Sequence, residues 1–216
     1  MDPSNYRQAR ILQAANTLAH ATLLGDSGSD WVDSALLHVE ETPVATGLVR
    51  TCVERADETL ESLRLVMAST DKSAPVQSYA ETIREQVPDG VTLASLGNAD
   101  VLDPMGLLAW RLAEQNLSSG GADILGPIGP SERPDLILGS VRNRDDLTDL
   151  RKTIQRYDAD GQAVPVLLSV ANAKMAASVR SVIGERPSHF LPGTYRVSWV
   201  LRGVNMMLDN PIREAA

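Results

Sequence analysis

Between Ser118 and Pro134 the chain carries Gly120-Gly121, Gly126-Pro127 and Gly129-Pro130, a density of helix- and strand-breaking residues through which no regular element is expected to persist. The hydrophobic period differs on its two sides, and that change bounds what the chain can fold into. In front, apolar residues recur at steps of three and four. Ile11, Ala15 and Leu18 share one helical stripe, with Leu12, Ala19 and Leu23 beside it. Asp30 suits the cap of a second helix carrying Trp31, Val32, Leu36 and Val39. A third runs from Pro43 on the stripe Val44, Leu48, Cys52, Ala56, Leu60, Leu63 and Met67, which the pattern assigns to the core, with Glu54, Asp57, Glu58 and Glu61 off it. Pro75 opens a fourth helix. Asp103-Pro104, a capping residue followed by proline at the first helical position, opens a fifth.

Behind the punctuated segment the pattern mixes two periods. Leu136-Ile137-Leu138 is a short apolar run, Leu147, Leu150, Ile154 and Tyr157 fall at helical spacing, and Val164 to Val170 is a second apolar run. A further helix carries Met175, Val179, Val182 and Ile183, and Tyr195 to Arg202 alternates like a half-buried strand. The expected fold is therefore mostly α with a smaller α/β part: an acidic helical bundle of about five helices over residues 1–117, a Gly/Pro-rich connecting loop over 118–134, and a small β-α-β-α-β unit over 135–216.

Aromatic residues are scarce, 4% of the chain, so Leu, Val, Ile, Ala and Met must build the core. The one cysteine, Cys52, has no partner for an internal disulfide and reads as a small buried hydrophobe in a reducing compartment. The amino-terminal residues lack the basic and apolar blocks of a signal peptide, and no apolar run approaches a membrane span, so a cytoplasmic location away from membranes is expected.

Nucleotide-binding glycine loops, metal-ligand spacings and nucleophile elbows are all missing from the sequence, and His20, His38 and His189 are far apart. No catalytic residue, metal or cofactor is expected. The most suggestive local feature is Gly139-Ser140-Val141-Arg142-Asn143-Arg144, between a strand and a helix, where Arg142 and Arg144 would hold a phosphate or carboxylate. Asp145 and Asp146 in the first helical turn compete for the same arginines. The helix continues with Arg151, Lys152 and Arg156, a basic face able to contact a nucleic-acid backbone, without neighbouring aromatics to read bases.

Charge is unevenly placed: residues 1–117 hold 8 basic and 17 acidic side chains, residues 135–216 hold 11 and 9. Such a split attracts acidic front to basic back between copies. Ile124, Leu125 and Ile128 in the central loop and Met206 and Met207 near the end supply apolar contact surface. These features favour a non-enzymatic, self-assembling structural subunit of coat, nucleocapsid or scaffold type, a homo-oligomer. The alternatives are a small α/β enzyme or anion/nucleotide-binding regulator using the loop at 139–144, and a helical protein-binding adaptor.

Overall fold

A computed structural model describes residues 3–24, 30–33, 46–70, 79–98, 103–112, 115–120, 133–158 and 162–208. In chain order the elements are α1 (Pro3–Ala21), β1 (Trp31–Asp33), α2 (Thr46–Thr70), α3 (Tyr79–Arg84), β2 (Thr92–Asn98), α4 (Pro104–Leu112), β3 (Gln115–Gly120), β4 (Leu136–Val141), α5 (Arg144–Tyr157), β5 (Val166–Val170), α6 (Ala173–Ile183), β6 (Ser188–Pro192), β7 (Thr194–Arg196) and α7 (Val197–Leu208). Strands β3-β2-β4-β5-β6, in that spatial order and all parallel, form a five-stranded sheet; β1 and β7 form a small antiparallel ribbon.

This corrects the expected fold class. The front half is not a helical bundle, because strands β2 and β3 interleave with its helices and pair into the same sheet as β4. Strands on both sides of the 118–134 segment thus share one sheet. The alternating stretch from Tyr195 is also not a long strand: only Thr194–Arg196 is extended, and Val197 begins a helix whose buried side is Val197, Val200, Leu201, Val204 and Leu208. Those positions fit a helical period as well as the alternation fits a strand, and tertiary packing decides between them. Trp31–Asp33 is likewise a strand, and not the start of a helix.

Parallel sheets need both faces covered. Strands β4 and β5 are buried at every residue. Leu93, Leu136, Leu138 and Leu167 point to one side, into a core shared with α1, α4 and α7. Ala94, Ile137, Val166, Leu168 and Val170 point to the other, against α5 and α6. Helix α4 is buried almost all round, as its apolar sequence demands. Its one strongly basic residue, Arg111, is buried as well: Nε donates to the Thr22 carbonyl (2.7 Å), and the two terminal nitrogens reach both carboxylate oxygens of Asp57 (2.6 and 3.0 Å). One guanidinium therefore ties α4 to the end of α1 and to α2.

Helix α2 meets this core only near its start. Val49 and Val53 are buried, whereas Cys52 is exposed and Leu60 and Leu63 are 45% and 54% exposed. The buried Val49 and Val53 lie off the stripe expected in the core. On that stripe Cys52, Leu60 and Leu63 are exposed and Ala56 is half-buried, while Val44 lies outside the described residues, so Cys52 is not the buried hydrophobe its setting suggested. Among the described residues no helix is long and apolar enough to cross a membrane.

These two environments set a contrast in stability. Leu138→Ala, which empties a site closed on both sides, is expected to cost about 2 to 5 kcal/mol, while Leu60→Ala should change stability by about 0.5 kcal/mol or less. Urea denaturation midpoints of the two variants check this, and equal losses would put Leu60 back in the core.

Candidate functional site

Numbered along the chain, the parallel strands lie in the order second, first, third, fourth, fifth, so the direction of winding reverses between β2 and β4. Helix α4, which follows β2, packs on one face, and α5, which follows β4, packs on the other. At such a switch point the carboxyl ends of the two strands part and leave a crevice. Pairing between β2 and β4 runs only from Leu93 opposite Leu136 to Ser95 opposite Leu138. Beyond it, the backbone N–H of Ser140 turns to a side chain: it donates to Asp103 Oδ2 (3.1 Å), and Ser140 Oγ donates to Asp103 Oδ1 (2.7 Å).

Asp103 has two tasks. As the expected cap of α4 it accepts the Met105 N–H on Oδ1 (3.1 Å), and its carbonyl accepts from Leu107 N (2.9 Å). The same carboxylate holds the end of β4. Its burial raises the carboxyl pKa above the ordinary value, against the opposing pull of Arg142 and of the donors on Ser140 and Met105.

Arg142 leaves β4 beside it. Its backbone N–H (2.8 Å) and Nε (3.1 Å) both donate to Asp146 Oδ2. Burial works against its charge, but Asp103 and Asp146 outweigh that and hold the guanidinium firmly protonated. The side chain is only 9% exposed, and its Nη1 has no hydrogen-bond partner among the described residues.

Tyr195 completes the cluster from β7. It is fully buried, its hydroxyl also lacks a partner, and burial together with the Asp103 and Asp33 carboxylates raises its pKa, Arg142 opposing. The cluster is thus a guanidinium held charged, a phenol held neutral and a carboxyl whose burial favours its protonated form. Ser140 Oγ spends its proton on Asp103 and is a tether, not an activated nucleophile.

The loop at 139–144 is therefore at the crevice, but its two arginines do not form the expected clamp. Arg142 turns inward and takes Asp146, while Arg144 is the exposed first residue of α5. The helix end is satisfied by its own cap: Asn143 Oδ1 accepts from Asp145 N (2.8 Å) and Asp146 N (3.0 Å). Arg151, Lys152 and Arg156 are exposed on α5, Lys152 beside Asp149 (3.4 Å) and Arg156 over the Tyr157 ring. Met206 is exposed and Met207 buried; Ile124, Leu125 and Ile128 lie outside the described residues. Tyr195 was missed because alternation made it one face of a strand, and Asp103 was legible only as a cap.

A cavity of about 530 Å³ opens at the other, amino end of the sheet, between Val87, Gly90 and Val91 before β2 and Trp110 and Leu112 at the end of α4. The buried cation in its wall, Arg111, is already held by Asp57 and Thr22. Arg84, whose Nε donates to the Arg111 carbonyl (2.8 Å), Glu85 and Asp89 also line it.

Because the folded chain binds the Asp103 proton more tightly than the unfolded chain, this group's contribution to stability is full below the ordinary carboxylate value, about 3.9, and declines as pH rises through the folded pKa. Asp103→Asn has no such proton to lose. The stability gap between wild type and this variant should therefore narrow as pH rises from about 4. Urea denaturation across a pH series measures the gap, and one that stays constant contradicts the assignment.

No family model matches this sequence, and neither curated proteins nor solved structures yield a match.

Proposed function

We propose that the chain is a small α/β ligand-binding protein that takes a small anion, a phosphate or carboxylate, at the carboxyl edge of β2 and β4. The observation that carries this reading is that two buried groups in electrostatic reach of each other, Nη1 of Arg142 and the hydroxyl of Tyr195, both lack a hydrogen-bond partner among the described residues, beside the point where the sheet winding reverses. Buried donors are nearly always satisfied, and leaving one unpaired costs about 1 to 3 kcal/mol. In this reading an anion oxygen accepts from both groups, and the burial that moves the Asp103 carboxyl toward its protonated form limits the negative charge beside the ligand.

Thermal unfolding tests it. Inorganic phosphate or a nucleotide at about a hundredfold its dissociation constant should stabilise the wild type by about 2.7 kcal/mol, and Arg142→Gln should remove the effect. A wild type that responds to neither phosphate, carboxylates nor nucleotides ends this reading.

A second reading, the self-assembling subunit, is favoured by a separate observation: Leu60, Leu63, Leu65 and Val66 are all exposed on one half of α2. In that reading the exposed Arg144, Arg151, Lys152 and Arg156 of α5 are the cations a nucleic-acid backbone would meet. Both readings belong to a cytoplasmic chain.

A further inference from the structure

The cavity of about 530 Å³ at the amino end of the sheet is built by three short stretches: Arg84 and Glu85 where α3 ends, the turn from Val87 to Val91 that leads into β2, and Trp110 to Leu112 at the end of α4. Val87, Val91 and Leu112 are buried and Trp110 is half-buried, so part of the lining is apolar. The volume falls in the range of about 300 to 1,000 Å³ typical of small-molecule sites, which combine an apolar lining with a few polar groups that fix orientation. Here the polar groups are of both signs. Arg84 spends Nε on the Arg111 carbonyl (2.8 Å), and its two terminal nitrogens have no hydrogen-bond partner among the described residues. Asp89 is exposed on the turn, and its carboxylate likewise has no partner among them. Glu85 adds a second carboxylate. Arg111 adds no free charge, because Asp57 holds it (2.6 Å).

We infer that this cavity is a second binding site, for a free α-amino acid with an apolar side chain. Charge selects the class. A lone anion would meet the carboxylates of Glu85 and Asp89, and a lone cation would meet Arg84, whereas a zwitterion complements both signs at once. The ligand carboxylate takes the terminal nitrogens of Arg84, whose planar fork matches its two oxygens. The ammonium goes to Asp89. The apolar side chain lies against Val87, Val91, Leu112 and the ring of Trp110, which also meets the Arg111 guanidinium (5.7 Å). An acidic side chain would be set against those same apolar residues, so acidic amino acids are excluded. The site lies at the opposite end of the sheet from Arg142 and Tyr195, shares no residue with them, and rests on neither functional reading above.

Calorimetric titration of the full chain with L-phenylalanine, with its amide, which lacks the carboxylate, and with 3-phenylpropionate, which lacks the amine, tests both ends of the ligand. The amino acid should bind about five- to tenfold more tightly than either analogue, the worth of one hydrogen bond in a half-open cleft. L-Leucine should bind as well, and L-glutamate should not. Arg84→Gln should erase the preference over the amide, and Asp89→Asn the preference over 3-phenylpropionate. Both residues are exposed, so both variants should fold, which circular dichroism checks. Failure of L-phenylalanine and L-leucine to bind overturns the inference, as does an analogue that binds as tightly as the amino acid. Saturating phosphate should leave the titration unchanged; competition would put the ligand carboxylate at Arg142 and overturn the assignment to this cavity. A chain that ignores phosphate yet binds L-phenylalanine with these preferences ends the carboxyl-edge reading and leaves this site standing.

Discussion

A parallel sheet buried on both faces gives its polar groups no outlet except its two edges, and the rest of this structure answers that constraint. Strands β4 and β5 are closed over completely, so the backbone group freed where β2 leaves β4 cannot reach water and is taken by Asp103. At the amino edge two arginines do the equivalent work. Arg111 satisfies the Thr22 carbonyl, and Arg186 satisfies the Val164 carbonyl (2.7 Å) just before β5 while pairing with Asp158 at the end of α5. Each of these groups closes a place where a helix joins the sheet, so the ion pairs lie at the corners of the fold and the aliphatic layers between them stay free of charge.

At both edges a buried guanidinium has one nitrogen without a hydrogen-bond partner among the described residues, Nε of Arg186 at the amino edge and Nη1 of Arg142 at the carboxyl edge. At the carboxyl edge the guanidinium also interacts electrostatically with the buried Tyr195. A buried ion pair gains little net stability after desolvation, so stability alone is a poor reason to bury Asp103, Arg142 and Tyr195 together when three aliphatic side chains would pack as well. All three are shifted toward their protonated forms, and perturbed groups gathered in one buried place mark a candidate site. The fold supplies this cluster from three separate segments, which is why no contiguous motif announces it.

What the sequence made legible follows the same physics. The apolar runs around Leu136–Leu138 and Val164–Val170 stand out because a central parallel strand is apolar on both faces, and α5 stands out because its stripe and its acidic first turn agree; its Asn143 cap emerges only in the structure. Strand β2 was passed over although Leu93, Ala94 and Leu96 sit in a short run between the Gly90 turn and the Asp103 cap. Strand β3, Gln115–Gly120, offers no apolar pattern at all, as befits the outermost strand, whose place comes from pairing with β2. Helix α2 carries apolar residues at steps of three and four along its length, yet Leu60 and Leu63 on that stripe are exposed. Periodicity reports that a helix has an apolar face, and it is silent on whether that face meets its own chain or another.

The division between an acidic front and a basic back has a similar resolution. Opposite charges spread over two parts of a chain attract whether the parts belong to one copy or two, and contacts within the chain form at far higher effective concentration. Asp30 accepts from Ser198 N (3.1 Å) and Oγ (2.7 Å), capping α7 from 168 residues away, and lies 3.8 Å from Arg196, which stacks over Trp31. These donors lower its pKa despite its partial burial. Asp103, also from the front, acts on Arg142 from the back. Asp103 lies at the carboxyl edge of the sheet, and Asp30 joins the start of β1 to the start of α7. Part of the complementarity legible in the sequence is therefore used inside the molecule, to join its two halves.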